Sequence, residues 1–225
     1  MASRVDRHLE RLGGWLLPPR CVLCGDRGQR PCLDLCAACE AALPPADPVL
    51  EAGTGLLLRS IAAFDYRHPV DFLVHSLKYR GRLANGRVLG SLLARRVAPF
   101  AEAVDVVLPV PLHPHRHAER GFNQSLEIAR QIARALDRPV RADLARRLRD
   151  TRPQVGLDPG ERRVNLAAAF GAREVGGLRV AVVDDVTTTG STLRELATAL
   201  MGAGARSVGR APPPQQAVQT CSSDG

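Results

Sequence analysis

Lysine is almost missing from this sequence. Lys78 is the only one among 31 basic residues, so the formal charge of +8 rests almost wholly on arginine. With no lysine in a glycine-rich loop there is no Walker A site, whose ammonium must reach the terminal phosphates of a nucleotide. Aromatic residues are scarce at 4%, which argues against an extensive platform for stacking the bases of a single strand. No run approaches the ~18 to 20 apolar residues that a membrane span needs. Arg4, Asp6, Arg7, Glu10 and Arg11 interrupt any apolar signal-peptide core, and residues 13–17 are too few to replace it. A cytoplasmic location is expected by default. The arginine excess is weak evidence for a polyanion partner, because genome composition alone can produce it and net charge speaks to steering rather than to a site.

Hydrophobic residues make up 45% of the 225 positions, enough for one good core and a small module. Six cysteines in a reducing compartment point to a metal rather than to disulfides. Four of them form the pairs Cys21-Val-Leu-Cys24-Gly and Cys36-Ala-Ala-Cys39, with eleven residues between. Each CxxC turn sets two sulfurs on one side of a tight knuckle, so Cys21, Cys24, Cys36 and Cys39 are expected to hold Zn²⁺ tetrahedrally. Cys32 competes for one position, and Cys36 with Cys39 is preferred because that pair completes a second knuckle. Four thiolates leave no open position for water, which makes the zinc structural. Residues 43–48 (LPPADP) and the Gly53-Thr-Gly55 turn read as a linker. The division expected is a short amphipathic helix and zinc-ribbon module over 1–50, a second unit over 51–209, and a polar, disordered tail over 210–225.

In the second unit, residues 57–66 (LLRSIAAFDY) have strand character, and helices are expected over 70–77 and 83–98 from their apolar spacing. The junction between them, residues 77–81 (LKYRG), is either a solvated helix end whose cations offset the dipole or a ligand contact. Residues 104–111 (VDVVLPVP) read as a buried strand that breaks into His113-Pro-His-Arg-His117. The alternating histidines suit a metal poorly, whereas Arg116 and Arg120 keep their charge and can fork onto phosphate oxygens. Residues 180–193 (VAVVDDVTTTGSTL) carry the strongest signal. Four apolar β-formers deliver two carboxylates and then a hydroxyl- and glycine-rich turn at the carboxyl end of a buried parallel strand, where α/β sheets bind ligands. The helix that follows offers unpaired N–H groups to an anion.

That stretch resembles the phosphoribosyl pyrophosphate (PRPP) loop of type I phosphoribosyltransferases. The resemblance implies that Asp184 and Asp185 hold the ribose hydroxyls, and that Thr187, Thr188, Thr189, Gly190, Ser191 and Thr192 cradle the 5′-phosphate. Together with LPVPLHPHR, ERGFNQS, RDTRPQVGL and ERRVN, it is similar to the competence protein F (ComF) family, from about Cys21 to Gly204. The fold implied is an α/β, phosphoribosyltransferase-like parallel sheet flanked by helices, preceded by the four-cysteine zinc-ribbon module. By the same resemblance residues 111–116 match the pyrophosphate loop, 120–124 a flexible region above the site, and 149–154 with 161–165 a basic cover. Lys78, Arg116 and Arg120 are the expected anion ligands, with Mg²⁺ arriving on PRPP or a related sugar phosphate. The implied activity is displacement of pyrophosphate from C1. The alternatives are a non-catalytic factor that handles single-stranded DNA beside competence-machinery proteins, and a transcription-linked zinc module riding on a metabolic fold. After Gly204 the sequence departs from the family pattern, since Ser207-Val208 offers at most a stub of strand before three prolines.

Overall fold

The computed structural model describes residues 19–29, 33–46, 61–149, 169–186 and 190–209. Within them the chain runs α1 (Ala37–Ala41), α2 (Val70–Arg80), α3 (Leu83–Val97), a 3-10 turn (Ala98–Ala103), β1 (Val106–Pro109) and α4 (Pro114–Arg120). Then come α5 (Gln124–Leu136), β2 (Ala145–Arg147), β3 (Phe170–Ala172), β4 (Arg179–Val183), α6 (Ser191–Gly202) and β5 (Ser207–Val208).

Alternation along β1 and β4 sets the architecture. The two strands pair in parallel from Val106 with Val180 to Pro109 with Val183, and successive side chains leave opposite faces. Val107, Ala181 and Val183 join a core built with α2, α3 and α5, whereas Val106, Leu108, Val180 and Val182 join a second core built with α6. A strand covered on both sides can be apolar at every position, which is why the unbroken valine runs signal burial. β5 extends the sheet beyond β4 in parallel, and Val140 bridges to Val107 on the far side. β5 has two residues, with Val208 fully buried and the Gly209 N–H donating to the Val180 carbonyl at 3.0 Å. The expected stub is therefore a short edge strand. At the amino ends of β1 and β4 the Arg179 fork grips Asp105 at 2.6 and 3.0 Å and holds its carboxyl down to about 2.

The helices follow their apolar spacing closely, but residues 61–66 do not form the expected strand. They make a single antiparallel bridge, Phe64 to Pro45, with the Asp65 N–H donating to the Pro44 carbonyl. Pro44 and Pro45 have no N–H to donate, which limits the pairing there. The helix expected over 3–17, Cys32, the linker beyond Ala46, residues 57–60 of the expected strand, most of the basic cover and the tail lie outside the described residues. No described helix is long and apolar enough to cross a membrane.

Helix α3 carries two glycines on the face that meets α5. A Cβ on Gly90 would stand 2.8 Å from the Ile128 carbonyl oxygen and 2.9 Å from Gln131 Cβ, and one on Gly86 would stand 3.1 Å from Glu127 Cβ. Gly90→Ala gains about 1 kcal/mol of helix propensity. The carbonyl is backbone and cannot retreat, and overpacking costs about 1–3 kcal/mol. A net destabilisation is expected, read as a lower urea midpoint with an unchanged slope. A variant more stable than the parent would contradict this contact.

Candidate functional site

Two clusters gather the chemistry-bearing residues. In the first, the Sγ atoms of Cys21, Cys24, Cys36 and Cys39 all lie within 4.8 Å of one another, with Cys24 and Cys36 at 3.7 Å. Sulfurs ~2.3 Å from a tetrahedral centre stand roughly 3.8 Å apart, so the set fits zinc. Gly25 takes a left-handed φ of 81° and returns its N–H to the Cys21 carbonyl, closing the first knuckle. Cys36 caps α1, accepting from the Cys39 N–H at 3.5 Å, and closes the second. Burial opposes ionisation of Cys21, yet the amides of Cys24, Cys36 and Leu23 outweigh it and bring its thiol down to about 6. Neighbouring thiols, Cys36 foremost, push Cys39 up. A cation among the four sulfurs would favour their thiolate forms together.

The module is tied to the rest of the chain. Arg87 of α3 contacts Asp34 at 2.6 Å and Arg95 contacts Glu40 at 2.7 Å, while Leu33, Leu35 and Leu43 share the core of α2 and α3.

The second cluster forms where β1 and β4 end at the same edge. Asp184 and Asp185 follow β4, and the Val110 N–H donates to the Val183 carbonyl beside them. Asp184 Oδ1 accepts from Ser125 Oγ at 3.1 Å and from the Asp185 N–H at 2.9 Å. Lys78, from the last turn of α2, places Nζ 2.6 Å from Asp185 Oδ2, the contact of an ammonium with a single carboxyl oxygen. The side chains are 21% and 5% exposed respectively. Burial first, and then the charge of Asp185, push the Asp184 carboxyl up to about 7, against the pull of Ser125. The folded chain thus holds this proton more tightly than an unfolded one, and the burial of Asp184 works against stability as pH rises from about 3.8 to about 7. Both aspartates line a cavity of about 250 Å³ whose walls include Phe64, Tyr66, Val74 and Leu93, with Asp65 at its rim.

The basic loop after β1 is not a loop. His113 caps α4 and Pro114 opens it, as proline suits a first helical position. Arg116 and Arg120 stand one turn apart and are both half-buried. Arg120 donates to Gln124 at 3.2 Å and lies over the Tyr79 ring at 5.4 Å. Residues 121–123, expected in a flexible region, form a turn pinned by Asn123, which caps α5 through Ser125 N–H and donates to the Val110 carbonyl at 3.0 Å. Gly190 precedes α6 with φ 69°, and Ser191 and Thr192 are its first two residues. Thr187, Thr188 and Thr189 lie outside the described residues. The structure thus brings Lys78 to the acid pair and adds Ser125, Asn123 and Tyr79, which sequence reasoning missed. Ser125 sits inside the quoted ERGFNQS motif, but its partner is 59 residues away.

This is an α/β protein with the strand, acid pair, glycine turn and helix order that its sequence shares with type I phosphoribosyltransferases, behind a four-thiol module. Curated relatives narrow the class. DNA utilization protein YhgH of Salmonella typhimurium is 36% identical over 199 residues, covering 84% of this chain and 86% of that protein. The Escherichia coli K12 protein of the same name is 34% identical over 208 residues, 88% and 89% of the two chains. Competence protein F of Haemophilus influenzae is 34% identical over 153 residues, 64% and 66% of the two chains. The chain belongs to this YhgH and competence protein F family. No family model matches it. Among solved structures, a glutamine PRPP amidotransferase from B. subtilis, complexed with ADP and GMP, aligns at 25% identity over 60% of this chain and 29% of that one. Its TM-score is 0.36, a superposition too loose to argue from.

Because the thiol module shares its core with α2 and α3, metal loss should destabilise more than the module. Metal analysis is expected to find one zinc per chain, and chelation to lower the melting temperature of the whole protein by several degrees. An unchanged melting curve after chelation would contradict the site.

Proposed function

We propose that the chain binds PRPP or a related phosphorylated sugar at Asp184 and Asp185, with transfer of the phosphoribosyl group as the reaction. The observation that carries this reading is the division of the two carboxyls. Ser125 holds Asp184 Oδ1, Lys78 holds Asp185 Oδ2, and the two carboxyls lie against each other. Two adjacent carboxyls suit the vicinal hydroxyls of a ribose. Gly190 and the amino end of α6 lie directly downstream, where the positive end of the helix dipole would favour the 5′-phosphate. Arg116 and Arg120 would bind the pyrophosphate.

In that reaction a nucleophile forms a bond to C1 as the bond from C1 to pyrophosphate breaks, the electron pair leaving with the phosphate and the nucleophile losing its proton. The side chains contribute orientation and charge rather than covalent chemistry. Asp184 and Asp185 fix the ring beside the developing positive charge, and the arginines would stabilise the negative charge that leaves with pyrophosphate. Mg²⁺ carried on PRPP would neutralise the leaving group. A second reading, a non-catalytic factor that handles single-stranded DNA with competence-machinery proteins in the cytoplasm, is favoured by the names of the relatives. Arginine-rich composition suits it as well.

Titration calorimetry with PRPP and Mg²⁺ separates the two. The parent chain is expected to bind, and Asp184→Asn with Asp185→Asn to lose at least tenfold in affinity, since a hydrogen bond to a charged group contributes about 1.5–3 kcal/mol. No heat from the parent, together with single-stranded DNA affinity that falls steeply with salt, would favour the second reading.

A further inference from the structure

Lys78 is the single lysine in a chain that otherwise uses arginine, and it contacts an acid at the proposed sugar site. We propose that Lys78 is a positioning residue whose single-point contact with Asp185 keeps the other oxygen of that carboxylate open for the ligand. The proposal rests on the sugar-phosphate reading and gives Lys78 a role through Asp185 rather than through the phosphates.

Asp185 is nearly buried, and its charge stands against that of Asp184. The groups that face the pair from each neighbouring element are few. Helix α2 supplies Lys78 and α5 supplies the neutral Ser125 hydroxyl. The 61–66 segment supplies Asp65, a third carboxylate on the same cavity, and the side of α3 there is apolar, through Leu89 and Leu93. Arg120 is directed to Gln124 and Tyr79. Among the described residues, then, Lys78 is the cation in contact with the pair. Opposite charges attract more strongly where burial lowers the dielectric, so the ammonium stabilises charge on the carboxyl it touches. Asp184, beside a hydroxyl and buried, keeps its proton up to about 7.

An arginine could supply the same charge but not the same shape. A guanidinium presents a planar fork that matches both oxygens of a carboxylate, whereas an ammonium is a compact point charge. Asp105 shows the fork at work in this chain, with Arg179 on both of its oxygens. The same grip on Asp185 would close Oδ1 to a ribose hydroxyl.

The test compares the parent chain, Lys78→Arg and Lys78→Met. Carbon-13 carboxyl titration of the ligand-free proteins reads the charge on the pair, and calorimetry with PRPP and Mg²⁺ reads the ligand. Lys78→Met is expected to raise the titration midpoint of the acid pair by about one unit, because the anion loses its partner. Lys78→Arg is expected to leave that midpoint within a few tenths of a unit yet weaken PRPP binding at least tenfold. Parent-like binding by Lys78→Arg would overturn this proposal alone, and an unmoved midpoint in Lys78→Met would overturn its electrostatic half. Absence of PRPP binding by the parent would overturn the sugar-phosphate reading and, with it, the role given to Lys78. Should Lys78→Met fail to fold, the arginine variant still decides the outcome.

Discussion

Taking a carboxylate out of water costs several kcal/mol after relaxation, and a second one beside it adds repulsion. Asp184 and Asp185 impose that cost at the end of β4, and the surrounding elements reduce it from different directions. Lys78 reaches Asp185 from the end of α2, Ser125 reaches Asp184 from the start of α5, and the Asp185 amide turns back onto its neighbour. Asp184 lowers the remaining cost by retaining a proton up to about 7. Nothing in packing requires two acids here, since apolar residues of similar size would be cheaper to bury. Their persistence at a strand end, in a cavity, is the physical reason to read them as a site.

The scaffold holds that site by fixing what lies behind it. The Asp105–Arg179 grip ties β1 to β4 at the edge opposite the acids, and the in-register pairing carries that alignment to Val183. On the other side the thiol module is bound to α3 by two ion pairs. Its outgoing segment, residues 43–46, bridges to the 61–66 segment that walls the cavity. The four-cysteine module thus stands one short segment away from the cavity and is part of the frame that shapes it.

The parts legible in the sequence were those whose cause is local. Valines at 180, 182 and 183 signalled a doubly covered strand, the CxxC pairs signalled a knuckle, and the apolar spacing of α2 and α3 signalled helices. The illegible parts depend on distant partners. Nothing around Lys78 names Asp185, and nothing around Ser125 names Asp184, because each contact is made only when the sheet edge forms. Residues 61–66 misled because their β-formers were read without the prolines opposite, which cannot donate to a ladder. Gly86 and Gly90 find their reason only in the close approach of α5.

The account turns on one claim, that the acid pair is a receptor for a ribose diol. A crystal structure of the chain with PRPP and Mg²⁺ tests it most directly. The account requires the two ribose hydroxyls on Asp184 Oδ2 and Asp185 Oδ1, with Lys78 still on Asp185 Oδ2 and the 5′-phosphate at the start of α6. A ligand bound away from these carboxylates, or Lys78 swung from Asp185 onto a phosphate, would contradict it.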